Sequence, residues 1–273
     1  METKKIHGRA SVIIAVLVIV LGFIGFARRC SSDSESVAMQ YSRPQGDTIA
    51  VAIEMSPLTY TLHNDSAEGF DYSILKDIAA EHGLTVVFYP VTQLEKAFEK
   101  LDRHEYDILV ASLPSTKTLK KYFPLTDAVY LDKQVLVQRR DSVGGRGPVL
   151  SQEQLMGDTV LIAEGSPFGT RLRNMTKELG DSIFVVSDPQ YSSEHLAILT
   201  ALGEVRQAVV SEAVARHIAD KYPMLDIETP ISFTQFQCWA VAPGDSALLD
   251  SLDVWLKDFK NTPRYRELSD RYL

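Results

Sequence analysis

The sequence predicts an α/β protein made of two lobes, on three observations. Short apolar runs rich in β-branched residues alternate with stretches whose apolar residues recur at helical spacing, which is the pattern of βαβ units. That pattern runs twice, on either side of the Gly- and charge-rich stretch RRDSVGGRGPV that begins at Arg139. After the second run an apolar strand and two closing helices follow. The second half therefore reads as an insertion, and the two crossovers leave a cleft between hinged lobes.

The first unit opens with a strand over residues 49–54. A loop follows, then a helix from Gly69 in which Phe70, Ile74, Ile78 and Ala79 make one apolar stripe. Asp71 falls in its first turn, where a negative charge suits the helix dipole. Gly83 stops the helix, and the β-branched and aromatic run 84–88 predicts a buried strand. The loop 55–68 lies at the carboxyl end of the first strand, where open α/β sheets bind ligands. This makes Ser56, Thr59 and Tyr60 candidate ligand contacts.

Next, Leu94, Ala97, Phe98 and Leu101 predict a short helix over 92–101, and YDILVA predicts a strand over 106–111. The polar loop at its end offers Ser112, Ser115, Thr116 and Lys117 as further contacts. A strand over 134–138 leads to the Gly-rich crossover.

The second half repeats the scheme. SxxQ at Ser151 reads as a capping pattern. A strand over 159–163 meets the tight turn Gly165-Ser166-Pro167, with Pro167 suited to the first helical position. Ser166 at that helix start is a candidate contact for a carboxylate or phosphate. Strands at 183–186 and 207–210 alternate with helices at 192–202 and 211–221. Ser211 and Glu212 open the second of these helices and are the last candidate contacts. The strand 236–241 carries Cys238 and Trp239, both read as core, and helices over 246–259 and 263–273 close the chain.

A net charge of −8 argues against nucleic acid as a partner. Two cysteines far apart make no disulfide framework, and the six histidines lack metal-ligand spacing, so neither a metal nor a cofactor is expected. At the amino terminus Lys4, Lys5 and Arg9 precede an apolar run over 10–27, which Arg28 and Arg29 close. Residues 1–30 read as a signal or, preferably, a retained membrane helix, because no small-x-small cleavage site follows. Residues 31–47 read as a polar linker. Cys30 followed by SSDSES suggests a lipoprotein as an alternative, but the small residues such a site needs are replaced by the two arginines.

Four segments in order carry a resemblance: GFDYSILKDIAAEHGL, then YDILVASLPSTKTLKKYFPLTDAVYLDKQVLV, then EGSPFG, then LKDFKNTPRYRELSDRYL. Together they resemble the bacterial extracellular solute-binding proteins of family 3. The run SPLTYTL ahead of GFDY is similar to the binding-protein-like half of membrane-bound lytic murein transglycosylase F. That half is the part the resemblance covers; the lysozyme-like catalytic domain would begin where this chain ends.

The resemblance implies a two-lobed periplasmic binding protein type 2 fold with a hinge and a central cleft, preceded by the membrane helix. Lobe one would be 48–138 with 233–273, and lobe two 139–232. It implies a binding function, with no catalysis, in which a small polar solute (amino-acid-like, peptide or cell-wall-derived) is captured for transport or sensing. An ABC transporter permease or a cell-wall enzyme would be the partner. The place would be the bacterial envelope, inner-membrane anchored with the soluble part in the periplasm, or else lipidated or secreted. An enzyme of the same fold resembling cyclic acid dehydratases, and a degenerate fold serving as an interaction scaffold, are the alternatives.

Family members that hold an amino acid place an arginine, for the α-carboxylate, where this chain has Leu119. Lys117, Lys120 and Lys121 nearby are point charges rather than forks. The family's aspartate for the α-amino group is matched by Ser211, with Glu212 one place on, and its stacking aromatic by the region of Leu58 and Tyr60. These departures argue against an ordinary free amino acid.

Overall fold

Residues 50–54 of the first strand are buried, so this strand takes an interior place in its sheet. The structure, a computed structural model, describes residues 48–64, 66–141, 147–180 and 182–273. The expected anchor (1–30) and linker (31–47) lie outside the described residues.

The first lobe is built on a five-stranded sheet ordered β4-β1-β5-β12-β6. Its strands are β1 (Thr48–Glu54), β4 (Thr85–Val91), β5 (Ile108–Pro114), β12 (Gln235–Val241) and β6 (Tyr130–Asp132). β1 pairs in parallel with β4 and β5, whereas β12 runs antiparallel to β5 and β6. Helices α1 (Phe70–Glu81), α2 (Leu94–Asp102), α3 (Lys117–Lys120), α7 (Ser246–Lys260) and α8 (Pro263–Tyr272) complete this lobe. The loop after β1 carries a small hairpin, β2 (Thr61–His63) with β3 (Ser66–Glu68).

The second lobe has its own five-stranded sheet, ordered β11-β7-β10-β8-β9. These are β11 (Leu225–Asp226), β7 (Gln134–Arg139), β10 (Gln207–Ser211), β8 (Thr159–Ala163) and β9 (Phe184–Asp188). Helices α4 (Phe168–Leu179), α5 (Ser193–Leu202) and α6 (Glu212–Lys221) pack with it, and Gln152–Leu155 forms one 3₁₀ turn.

Three sequence expectations need correcting. The strand at 134–138 belongs to the second lobe: β7 pairs antiparallel with β10 from Gln207↔Gln138 to Ser211↔Gln134. The outgoing crossover is therefore at Lys133, not at Arg139. The run 135–137 is apolar in either sheet, so its composition carries no information on membership. β4 is an edge strand with alternating partial exposure rather than a buried one, and the edge is where Pro90 is tolerated. Ser151 makes no side-chain cap; the backbone N–H of Leu150 instead donates to Gln154 Oε1 at 2.8 Å.

The two crossovers run side by side. Gln134 N donates to Ser232 Oγ at 2.9 Å, Ile231 N donates to Gln134 O at 2.8 Å, and Gln237 Nε2 reaches Asp132 O at 3.5 Å. The lobes also meet away from the hinge. Gln93 Nε2 donates to Pro189 O at 3.2 Å, and Arg216 Nη1 donates to Leu273 O at 3.0 Å. Gly165 lies so near α2 that a Cβ there would sit 2.4 Å from Glu95 N. Gly69 is required for a similar reason: its φ is +145°, and a Cβ would fall 2.3 Å from Thr59 O.

Candidate functional site

The carboxyl end of β1 delivers Glu54 and Ser56 to the seam between the lobes, and the end of β5 delivers Ser112 beside them. From the second lobe come Ser166 with Pro167 and Phe168 at the start of α4, Ser193 at the start of α5, and Ser211 with Val214 at the start of α6. These residues and Leu94 enclose a cavity of about 10 Å³, roughly the room one water needs. Leu94, Phe168 and Val214 are each under 5 % exposed and form the apolar part of the cavity wall.

Four of the sequence-predicted contacts, Ser56, Ser112, Ser166 and Ser211, thus meet at one cavity. Ser56 Oγ accepts from Thr59 N at 3.0 Å, and Ser211 Oγ accepts from Val214 N at 3.3 Å as the cap of α6. Ser112 Oγ lies 3.3 Å from Tyr130 Oη. Ser166 Oγ is shut off from solvent and has no hydrogen-bond partner among the described residues.

The other six predicted contacts lie elsewhere. Thr59 and Tyr60 are buried within the first loop, with Tyr60 edge-on to Tyr72 at 5.4 Å. Ser115 donates its N–H to Phe236 O at 2.8 Å, and Thr116 caps the short α3 by accepting from Leu119 N at 3.1 Å. Lys117, Lys120 and Lys121 are exposed. Glu212 turns to the hinge, where it pairs with Lys133 Nζ at 3.3 Å and Arg216 at 3.0 Å.

Sequence reasoning passed over Glu54. Its signal was an acidic residue closing an apolar strand at the end where such sheets bind ligands. Glu54 is 6 % exposed, and Ser112 N donates to its Oε2 at 3.3 Å. Burial pushes its carboxyl up to about 7; the Ser112 N–H opposes this and Glu194 adds to it. Asp71 stands in the first turn of α1 as its position predicts, and it is fully buried. Desolvation raises it to about 7, against hydrogen bonding from Trp239, while the nearby Glu54 adds to the rise. Asp132, at the hinge, is raised to about 6 by burial, opposed by the Lys133 N–H and the Ser211 hydroxyl. Tyr130 sits among these three carboxyls and is held well above its ordinary value, mainly by burial.

The polar part of the cavity wall is therefore hydroxyls and one carboxyl, with acids behind it, and none of the residues lining it is cationic. Among the described residues no group of three or more His, Cys, Asp or Glu side chains is placed to hold a metal ion. Such a site favours a hydrogen-bond donor or a cation and disfavours a carboxylate.

Comparison with known proteins decides the family. The family model described as bacterial extracellular solute-binding proteins, family 3, matches residues 48–273. This chain belongs to that family. Among solved structures, an ancestral arginine-binding protein bound to arginine superposes with a TM-score of 0.72 at 22 % identity, covering 84 % of this chain and 100 % of that one. The ancestral amino-acid-binding protein AncCDT-1, a precursor of cyclohexadienyl dehydratase, gives 0.68 at 19 % identity over 83 % of this chain and 95 % of that one. Both likenesses establish the two-lobed α/β periplasmic binding protein fold. Among curated relatives, the membrane-bound lytic murein transglycosylase F of Ectopseudomonas mendocina is 22 % identical over 256 residues, 93 % of this chain and 51 % of the relative. The chain spans about half the length of the curated relatives it matches. Among the described residues, no helix is long and apolar enough to cross a membrane.

Proposed function

We propose that this family 3 protein captures a small polar ligand bearing an amine or a similar donor group between its two lobes, for transport or sensing at the bacterial envelope. The observation that carries the reading is Glu54, a buried carboxyl at the end of β1 in a cavity lined by no cationic residue. A ligand ammonium would pair with Glu54 and stabilise its charged form. The serine hydroxyls of both lobes would complete its hydrogen bonds. A cavity of about 10 Å³ admits no such ligand, so entry requires the lobes to part at the hinge and close again around it.

The neighbours that bind arginine and the family name support a solute-binding role, with an ABC transporter as partner. The transglycosylase relatives support a ligand derived from the cell wall. Their membrane-bound name and the apolar run 10–27 support a tether that holds the two lobes in the periplasm.

A thermal-shift screen of the chain with amino acids, amines, dipeptides, muropeptide fragments and dicarboxylates tests this. Ligands that bind only the folded state raise the midpoint by mass action. Amine-bearing compounds lacking a second carboxylate are expected to give the shift, and a shift with dicarboxylates alone would sink the reading. One observation favours a second reading, an interaction scaffold: Leu94, Phe168 and Val214 wall the central cavity and leave it only about 10 Å³. A flat response across the panel by folded protein is its expected result.

A further inference from the structure

Beside the central cavity the lobe seam opens into a groove of about 850 Å³, within the roughly 300–1,000 Å³ of small-ligand sites. One wall is α2. Glu95, Phe98, Glu99 and Asp102 follow one another at helical spacing, so a single stripe of the helix faces the groove. Phe123 extends the apolar part of this wall, its ring 5.1 Å from that of Phe98, and Tyr122 stands 61 % exposed at the rim. The other wall belongs to the second lobe and contributes Glu164, Ser166 and Arg173.

Charge and surface here are unevenly matched. Four carboxylates face one guanidinium, and that guanidinium is engaged by Thr170 Oγ1 at 3.1 Å. Glu99 has only a long, exposed pairing with Arg103 at 3.9 Å, and Glu95, Asp102 and Glu164 have no ion pair among the described residues. Ser166 lines this groove as well as the central cavity, and its Oγ is sealed from solvent and unpartnered among the described residues. Acids that converge across two lobes repel one another unless a cation lies between them. Aromatic faces beside them suit a cation carried on an apolar body.

We propose that this groove is a second binding site, separate from the central cleft, for a short cationic peptide with an apolar side chain. The peptide's ammonium groups sit against Glu95, Glu99 and Glu164, and its apolar side chain lies on Phe98, Phe123 and Tyr122. Because the walls come from different lobes, an occupant that touches both stabilises the closed arrangement.

Isothermal titration of the full chain with amidated Lys-Phe-Lys at low salt tests the proposal, with amidated Gln-Phe-Gln as the neutral control. The expected result is binding of the cationic peptide alone, weakened by added salt. The double variant E95Q/E99Q, at two exposed positions, should weaken binding at least tenfold, and Tyr122→Ala severalfold, with thermal midpoints unchanged. Four results would overturn it: no binding of the cationic peptide at millimolar concentration, equal binding of the neutral peptide, insensitivity to salt, or loss of binding in E54Q with E95Q/E99Q unaffected. The last would move the peptide to the central cleft.

Discussion

Trp239 Nε1 donates a hydrogen bond of 2.7 Å to Asp71 Oδ1, across 168 residues of sequence. Both residues are fully buried. The bond ties the first helix to the strand on which the chain returns to the first lobe. Asp71→Ala leaves the indole N–H unpaired and is expected to cost about 1–3 kcal/mol. Asp71→Asn keeps an acceptor and should cost less. Urea unfolding followed by tryptophan fluorescence separates the two; equal losses would mean that the hydrogen bond contributes little.

Stability should fall as pH rises from about 4 to 7. Glu54 and Asp71 are raised to about 7 and Asp132 to about 6, so each holds a proton in the folded state that the unfolded chain has already released in this window. Their contribution is fully present below the ordinary carboxylate range and is lost as pH climbs through the raised values. Each tenfold change in proton affinity is worth about 1.4 kcal/mol, so the loss is on the order of a few kcal/mol for each group. Denaturant midpoints at pH 5 and pH 8 measure it. The double variant D71N/E54Q should flatten the slope, and an equally steep slope in that variant would place the titration elsewhere.

Glu54→Gln should also change the pH dependence of ligand capture. Amine ligands are expected to bind wild type more tightly as pH passes 7, because Glu54 must ionise to receive them. In Glu54→Gln the affinity should be lower and level across that range. Titrations at pH 6 and 8 provide the check, and a rising affinity in the variant would exclude Glu54 as the receiving group.

Gly165→Ala should push the lobes apart without unfolding either. The new methyl would meet Glu95 N at 2.4 Å and Glu95 Cα at 2.8 Å, and the backbone there has φ +75°. An increased radius of gyration in solution scattering, with unchanged far-ultraviolet dichroism, is the expected outcome. An unaltered radius would show that α2 yields instead.

Much of the fold was legible because helical and strand periods are local. The stripe Phe70, Ile74, Ile78 and Ala79 is buried in α1 as its spacing predicts. Strand order and sheet membership are long-range properties, and there the reading failed. The run 135–137 looks alike in either sheet, and the run 84–88 does not reveal that its strand lies at an edge. The site divides along the same line. Strand ends and helix starts marked Ser56, Ser112, Ser166 and Ser211. Thr116 and Glu212 have the same local signature, but Thr116 caps its own short helix and Glu212 pairs with Lys133 at the hinge. The one local mark of Glu54 is its place at the carboxyl end of an apolar strand; its burial is a property of the packed structure.

The order of strands along the chain has a consequence for synthesis. The second sheet is drawn entirely from the stretch between Gln134 and Asp226, whereas the first sheet lacks β12 until Gln235–Val241 has been made. The lobe that lies in the interior of the sequence therefore has all its strands first. Until then β1, β4 and β5 wait with Leu109 and Leu113 unmatched, since their partners Ala240 and Cys238 are the last to arrive. Chains stopped short of residue 235 would carry one finished lobe and one open, apolar edge, the form that chaperones and proteases recognise.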